Sequence, residues 1–174
     1  MICSFGGKSP KIADSAFVAD YVTIIGDVVI GENSSIWFNT AIRGDLAPTT
    51  IGSGVNIQEN SSLHQSKDIP LIIEDDATIG HGCILHSATI RKGALIGMGA
   101  IILDGAEIGE GALIGAGSLV PPNKKIPAHT LAVGNPVKVI RELTEADKKY
   151  IIAGSNDYKE KAKIYKEMQD KTKK

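Results

Sequence analysis

An aliphatic residue returns at every sixth position through most of this chain. Ile12, Val18, Ile24, Ile30, Ile36 and Ile42 keep the count without a miss. It resumes at Ile51, Ile57 and Leu63, again at Ile73, Ile79 and Leu85, and then runs through Ile90, Ile96, Ile102, Ile108, Ile114, Val120 and Ile126. Four places after an anchor comes a small or short residue, as at Ala16, Val22, Ser34, Ala77, Cys83, Ala94, Ala100, Ala112 and Ser118. A hexapeptide period of this kind predicts a parallel β-helix, in which spacing along the chain becomes position in space. The repeat region spans about residues 10–137. Three places break the count: three extra residues around Pro48, four extra in Lys67–Pro70, and one fewer between Leu85 and Ile90. Breaks of that size predict loops or tight corners on a continuous solenoid.

Three hexads make one turn, so every third anchor stacks on the same face of a triangular prism. The first column is Ile12, Ile30, Ile51, Ile73, Ile90, Ile108 and Ile126; the second is Val18, Ile36, Ile57, Ile79, Ile96 and Ile114; the third is Ile24, Ile42, Leu63, Leu85, Ile102 and Val120. Anchors point inward, and the next residue of an extended segment points outward. After the third column those outward residues are Ile25, Arg43, His64, His86, Leu103 and Pro121. Two histidines thus stack on successive coils, about 4.8 Å apart. Two imidazoles so placed can reach one metal ion, with Zn–N bonds of about 2.0–2.1 Å. The second column carries Ala19, Trp37, Gln58, Gly80, Gly97 and Gly115 outward, and one place further Asp20, Phe38, Glu59, His81, Met98 and Ala116. His81 and His86 therefore project from different faces. A three-histidine site needs His81 from another copy of the chain.

The totals exclude other classes. At 174 residues the chain is one domain with room for a real core. A formal net charge of -1 offers no general attraction to nucleic acid or an anionic membrane. Two cysteines, Cys3 and Cys83, make no disulfide framework, and no apolar run approaches the length of a membrane span. The expectation is a soluble, cytoplasmic protein. Beyond residue 137 the repeat gives way to a C-terminal helical segment, 138–174, packed on the β-helix. Thr144 with Asp147 resembles a capping box, and the stretch from Glu145 to about Gln169 reads as helix. Gly154-Ser155-Asn156 is expected to divide it in two. Its tyrosines, Tyr158 and Tyr165, are expected to pack on the coils, and Lys171, Lys173 and Lys174 to form a solvated end.

These residues resemble the γ-class carbonic anhydrases and their bacterial relatives. The likeness runs through IRGD (Ile42–Asp45), NIQEN (Asn56–Asn60), LHQ (Leu63–Gln65), IGHGCILH (Ile79–His86) and LIGMGAIILDGA (Leu95–Ala106), and takes in His64, His81 and His86. It implies a left-handed β-helix, a homotrimer, and a metal at each subunit interface. His64 and His86 would come from one chain and His81 from the next. It also implies that Gln58 orients the metal-bound hydroxide or the substrate, that Arg43 and Asp45 organise the interface, and that Tyr158 neighbours the site from the helix. Glu59 is either a partner of His81 or a solvated edge charge. The loops Leu46-Ala47-Pro48 and Gln65-Ser66-Lys67-Asp68 lack the glutamates that shuttle protons in the best-studied γ enzymes.

The function so implied is hydration of CO2 to bicarbonate. Three neutral imidazoles leave Zn2+, Fe2+ or Co2+ an open position, where a water acidified to a pKa of roughly 7 becomes a hydroxide nucleophile. The alternatives are a CoA-dependent acyltransferase or thioesterase, since AVGNPVKVIR (Ala132–Arg141) occurs in both groups, and a non-catalytic metal-bound trimer. Acyltransferases of this type use a single catalytic histidine, often beside a long loop. Here three histidines take a metal-like arrangement, His129 stands in a Pro-flanked turn, and Cys83 fills a small-residue core slot.

Overall fold

The structure is a computed structural model that describes residues 1–172. It is a left-handed parallel β-solenoid of about 7 turns followed by one C-terminal helix. Every column predicted from the period is realised as a register. On the first face Ile12, Ile30, Ile51, Ile73, Ile90, Ile108 and Ile126 pair in series. On the third, Ile24, Ile42, Leu63, Leu85, Ile102 and Val120 do so. The second forms a separate eight-stranded sheet running from Phe17–Val18 to the strand Val137–Glu142. The first and third faces merge into one twelve-stranded sheet because two long strands, Thr23–Ile30 and Ala41–Ile51, turn the corner between them.

The anchors from Ile24 to Ile126 are buried, as are the small residues four places after them. Burying a Leu or Ile side chain contributes about 1.5–3 kcal/mol, so the stacked columns dominate stability. The third place after most anchors has its own rule, with Asp27, Asp45, Ser66 and Ala88, all following third-column anchors, among the exceptions. Asn33, Asn39, Asn60, Asp76, Gly93, Gly99, Gly105, Gly111, Gly117, Asn123 and His129 all occupy it with φ between 54° and 69°. Each coil turns its corner there through the left-handed region, which explains the run of Gly, Asn and Asp. His129 is one of these corner residues.

The helix α1 spans Glu145–Thr172. Its start is the expected capping box: Asp147 N–H donates to Thr144 Oγ1 (3.2 Å) and Thr144 N–H donates to Asp147 Oδ2 (2.8 Å). Residues 138–142 of the segment expected to be helical are strand, pairing antiparallel with Thr130–Gly134 before the helix begins. The expected break at Gly154-Ser155-Asn156 is absent, and α1 is one helix of 28 residues. Ile151, Ser155 and Ala162 are buried and Tyr158 is half-buried, a 4–3–4 spacing that keeps one stripe against the coils. That packing outweighs the penalty of about 1 kcal/mol for a glycine inside a helix.

At about 1.5 Å per residue the helix is about 42 Å long, enough to run the full height of the stacked coils. It packs on the strands Phe17–Val18, Ser35–Ile36 and Asn56–Ile57 of the second face. Tyr158 and Tyr165 meet the buried Trp37 edge-on, at centroid distances of 5.3 Å and 5.2 Å, so both tyrosines pack as expected. Gln169 Nε2 donates to Val18 O near the far end. The reading of Lys173 and Lys174 as a solvated end lies outside the described residues. Among the described residues no helix is long and apolar enough to cross a membrane, and both cysteines are free thiols.

Candidate metal centre

The repeat brings two of the three histidines together. His64 ends the strand Ser62–His64, His86 ends Ile84–His86, and the two are register partners on the third face. Their ring centroids lie 5.2 Å apart, and His64 Nδ1 is 3.1 Å from His86 Nε2. The other nitrogen of each ring faces a carboxylate: His64 Nε2 meets Asp45 Oδ1 at 3.0 Å and His86 Nδ1 meets Asp104 Oδ1 at 2.5 Å.

An ionised carboxylate can only accept a hydrogen bond, and both acids are held below the usual carboxylate range. For Asp45, partial burial pushes upward, and hydrogen bonds from Arg43 and His64 with the Arg43 charge outweigh it. For Asp104, the Ser66 hydroxyl draws the carboxyl down first, burial opposes it, and His86 adds to the lowering. The ring nitrogens facing these acids therefore carry the protons. With both rings neutral, the two nitrogens that face each other at 3.1 Å both carry lone pairs, and a cation between them relieves their repulsion.

His81 stands elsewhere. It follows the strand Thr78–Ile79 on the second face, with its side chain 44% exposed. Its Nδ1–H donates to Glu59 Oε2 at 2.6 Å, so Glu59 is a partner of His81 and not a free edge charge. Its remaining nitrogen, Nε2, lies 3.4 Å from the Tyr158 hydroxyl. Burial, followed by the nearby Glu59 charge, raises the Tyr158 phenol above its ordinary value, so it stays protonated at neutral pH and can donate. Gln58 is buried; its Nε2 donates to Asn56 Oδ1 (3.1 Å), and Asn56 Nδ2 donates to Thr78 Oγ1 (2.8 Å). Gln58, His81, Met98 and Tyr158 line a groove of about 370 Å3 beside α1.

Among the described residues no group of three or more His, Cys, Asp or Glu side chains of one chain is placed to hold a metal ion. The two facing nitrogens of one chain nevertheless suit a divalent cation. Two ligands of a tetrahedral ion with bonds of about 2.0–2.1 Å lie about 3.3 Å apart, close to the 3.1 Å found here.

Arg43 bonds Asp45 within one strand. Its partner does more than pair with it, because Asp45 also orients His64. Asp104 and Ser66 have no role in the sequence reading. The signal for Asp104 was available: it lies one place past Leu103, in the outward column that holds both histidines.

Comparison with known proteins follows the same lines. Residues 9–44 and 87–122 match the family model described as bacterial transferase hexapeptide (six repeats). A carbonic anhydrase of Geobacillus kaustophilus is 66% identical over 169 residues, covering 97% of this chain and 93% of that protein. The mitochondrial gamma carbonic anhydrase 2 of Arabidopsis thaliana is 39% identical over 164 residues, 91% of this chain and 59% of the plant protein. Among solved structures, a candidate acetyltransferase of Bacillus cereus superposes with a TM-score of 0.95 at 63% identity, covering 96% of this chain and 97% of that one. Repeat, register, histidine placement and relatives agree: the chain belongs to the γ-carbonic anhydrase-like family of hexapeptide-repeat proteins.

Proposed function

We propose that the protein catalyses the reversible hydration of CO2 to bicarbonate as a homotrimer. Each metal would be held by His64 and His86 of one copy and His81 of a neighbouring copy. The observation that carries this reading is the pair of facing ring nitrogens, His64 Nδ1 and His86 Nε2, converging at 3.1 Å on one face while His81 turns outward from another. A ring of three copies, each giving its third face to the next copy's second face, closes without running on into a filament. Zn2+, Fe2+ or Co2+ bound there would supply Lewis acidity, lowering the pKa of a water to about 7.

The chain's own residues do the rest. Asp45 and Glu59 keep the His64 and His81 rings in the tautomer whose free nitrogen faces the ion. The Tyr158 hydroxyl, already 3.4 Å from His81 Nε2, donates toward the reacting oxygen. Gln58, fixed through Asn56 and Thr78, presents an amide to substrate in the same groove. Met98 and the neighbouring copy would exclude bulk water.

The decisive experiment is CO2 hydration by metal-reconstituted protein made without a metal-binding tag. Slow turnover that accelerates with imidazole buffer is expected, because the loops hold no glutamate to carry the proton away. Turnover absent with every metal, from protein that binds the ion in full, would leave a metal-bound trimer without this activity. Mixing inactive His64→Ala and His81→Ala proteins should restore part of the sites, and no recovery in verified mixed trimers would refute sharing. The transferase names among the relatives and the groove beside His81 favour acyl transfer from CoA as the second reading. Acetyl-CoA turnover that survives complete metal removal would establish it.

A further inference from the structure

Three imidazoles lean on three carboxylates, and one of those carboxylates is clamped from a distance. Arg43 braces Asp45 from two places away in the same strand. Asp104 is braced from 38 residues away: Ser66 Oγ–H donates to Asp104 Oδ2 at 2.5 Å, while Asp104 Oδ1 takes His86 Nδ1. Ser66 is itself tied down, its backbone N–H donating to Ser87 Oγ at 2.6 Å. The Ser87 hydroxyl itself donates to Ile69 O at 3.0 Å. Ser87 directly follows His86 and has φ 45°. The contacts therefore close a ring: His86 to Asp104, Asp104 to Ser66, Ser66 to Ser87, and back along the chain to His86.

Two of the three irregularities of the repeat build this ring. The extra residues of Lys67–Pro70 let the segment after His64 leave the coil, and the residue missing between Leu85 and Ile90 tightens the corner at Ser87. A regular hexad at either place would remove one link.

We propose that Asp104, clamped by Ser66, is the positioning residue that fixes the His86 ring. It holds the proton on Nδ1 and leaves Nε2 bare toward His64 Nδ1. The proposal rests on the metal reading above, in which Nε2 is the coordinating atom. Without the carboxylate the ring is free to turn, and the neutral imidazole returns to the Nε2–H tautomer preferred in solution, which cannot coordinate through that nitrogen.

The test is zinc affinity, measured by competition with a chromophoric chelator, together with the His86 tautomer of the metal-free protein read from 15N–1H correlations. Asp104→Ala should weaken zinc binding about 10–100-fold, the usual loss when a residue orienting a metal-bound histidine is removed. Ser66→Ala, which deletes one hydroxyl and leaves the coils untouched, should weaken it by a smaller factor. Asp104→Asn, whose amide oxygen still accepts from Nδ1–H, should recover most of the affinity. The wild type should show His86 as Nδ1–H and Asp104→Ala as Nε2–H. Unchanged affinity in both Asp104→Ala and Ser66→Ala would overturn the proposal and leave the metal reading standing. Wild-type protein that binds no zinc would overturn the metal reading, and the tautomer would then decide for or against Asp104. Wild-type His86 found as Nε2–H overturns the proposal in either case.

Discussion

The coils from Ile90 to Ala132 and those from Ile42 to Ser87 share one architecture and differ in almost everything else. In the upper coils the count of six never slips and the corners are glycines through Gly117. Buried polar side chains there are few, chiefly Ser118 and Thr130. The middle coils contain all three breaks in the count. They also bury Thr49, Asn56, Gln58, Ser61, Gln65, Thr78 and Ser87, and Gln65 Oε1 lies buried without a hydrogen-bond partner. Buried polar groups that are hydrogen-bonded contribute little net stability but fix geometry tightly. The upper coils are thus a rigid wall made by repetition. The middle coils give up repetition to aim His64, His86 and Asp45, while Asp104 reaches His86 from the first coil of the wall.

The wall should show the largest stability effect. Ile108→Ala removes a side chain with no exposed surface whose register partners are Ile90 and Ile126. A rigid, close-packed column cannot collapse around the cavity, so a loss of about 2–5 kcal/mol is expected by denaturant unfolding. Zinc affinity of the folded fraction should not change. A loss below about 1 kcal/mol would mean the upper coils relax as readily as a loop, and the comparison would fail.

Making the middle coils as regular as the upper ones is the converse test. Deleting Lys67–Pro70 restores six-residue spacing between Leu63 and Ile73. Shortening a surface loop by a few residues changes closure entropy by less than about 1 kcal/mol, so the fold should survive. The clamp on Asp104 should not, and zinc affinity should drop about 10-fold or more. A regularised protein that still binds zinc like the wild type would show that the break is incidental to the site.

The difference between the two regions also explains what could be read without coordinates. A period of six has one spatial meaning, so the three columns, the stacking of His64 on His86 and the exile of His81 to another face all follow from counting. Counting fails where the period fails. The reach of Ser66 to Asp104 depends on the path of four inserted residues and a corner one residue short, and neither path is written in the spacing. The helix misleads for another reason. Gly154-Ser155-Asn156 has the composition of a turn, but Ser155 is buried on the stripe of Ile151, Tyr158 and Ala162. Packing against the second face overrules local preference.

That override leaves a measurable trace at Gly154. A Cβ built there meets nothing within 4 Å, and the residue lies inside α1. Gly154→Ala should therefore raise stability by about 0.5–1 kcal/mol in the isolated chain, through helix propensity and reduced freedom of the unfolded chain. Because Gly154 also lines the groove beside His81, the added methyl sharpens the trimer reading. A stabilised chain that assembles less well would place the neighbouring copy against this part of α1. Lower stability of the monomer itself would contradict the open space at this position.

The smallest effect belongs to the outside of the wall, where Arg91 bridges two coils on the first face. It donates to Glu74 Oε1 at 2.7 Å and to Glu107 Oε1 at 2.7 Å and 2.9 Å. All three side chains are about a third or more exposed, so solvent screens the network and Arg91→Ala should cost less than about 1 kcal/mol at neutral pH. Its pH dependence is more telling than its size. The Arg91 hydrogen bonds draw the Glu107 carboxyl below its ordinary 4.5, with partial burial opposing and the Arg91 and Lys125 charges assisting. A depressed carboxyl adds stability that is fully present above the unfolded value and lost as pH falls through the folded one. The gap between wild type and Arg91→Ala should therefore hold above about pH 5, close on acidification below it, and shrink in high salt. A gap that widens in acid, or a change in zinc affinity at any pH, would mean the ladder on this face is coupled to the site on the adjoining third face, against the division between wall and centre.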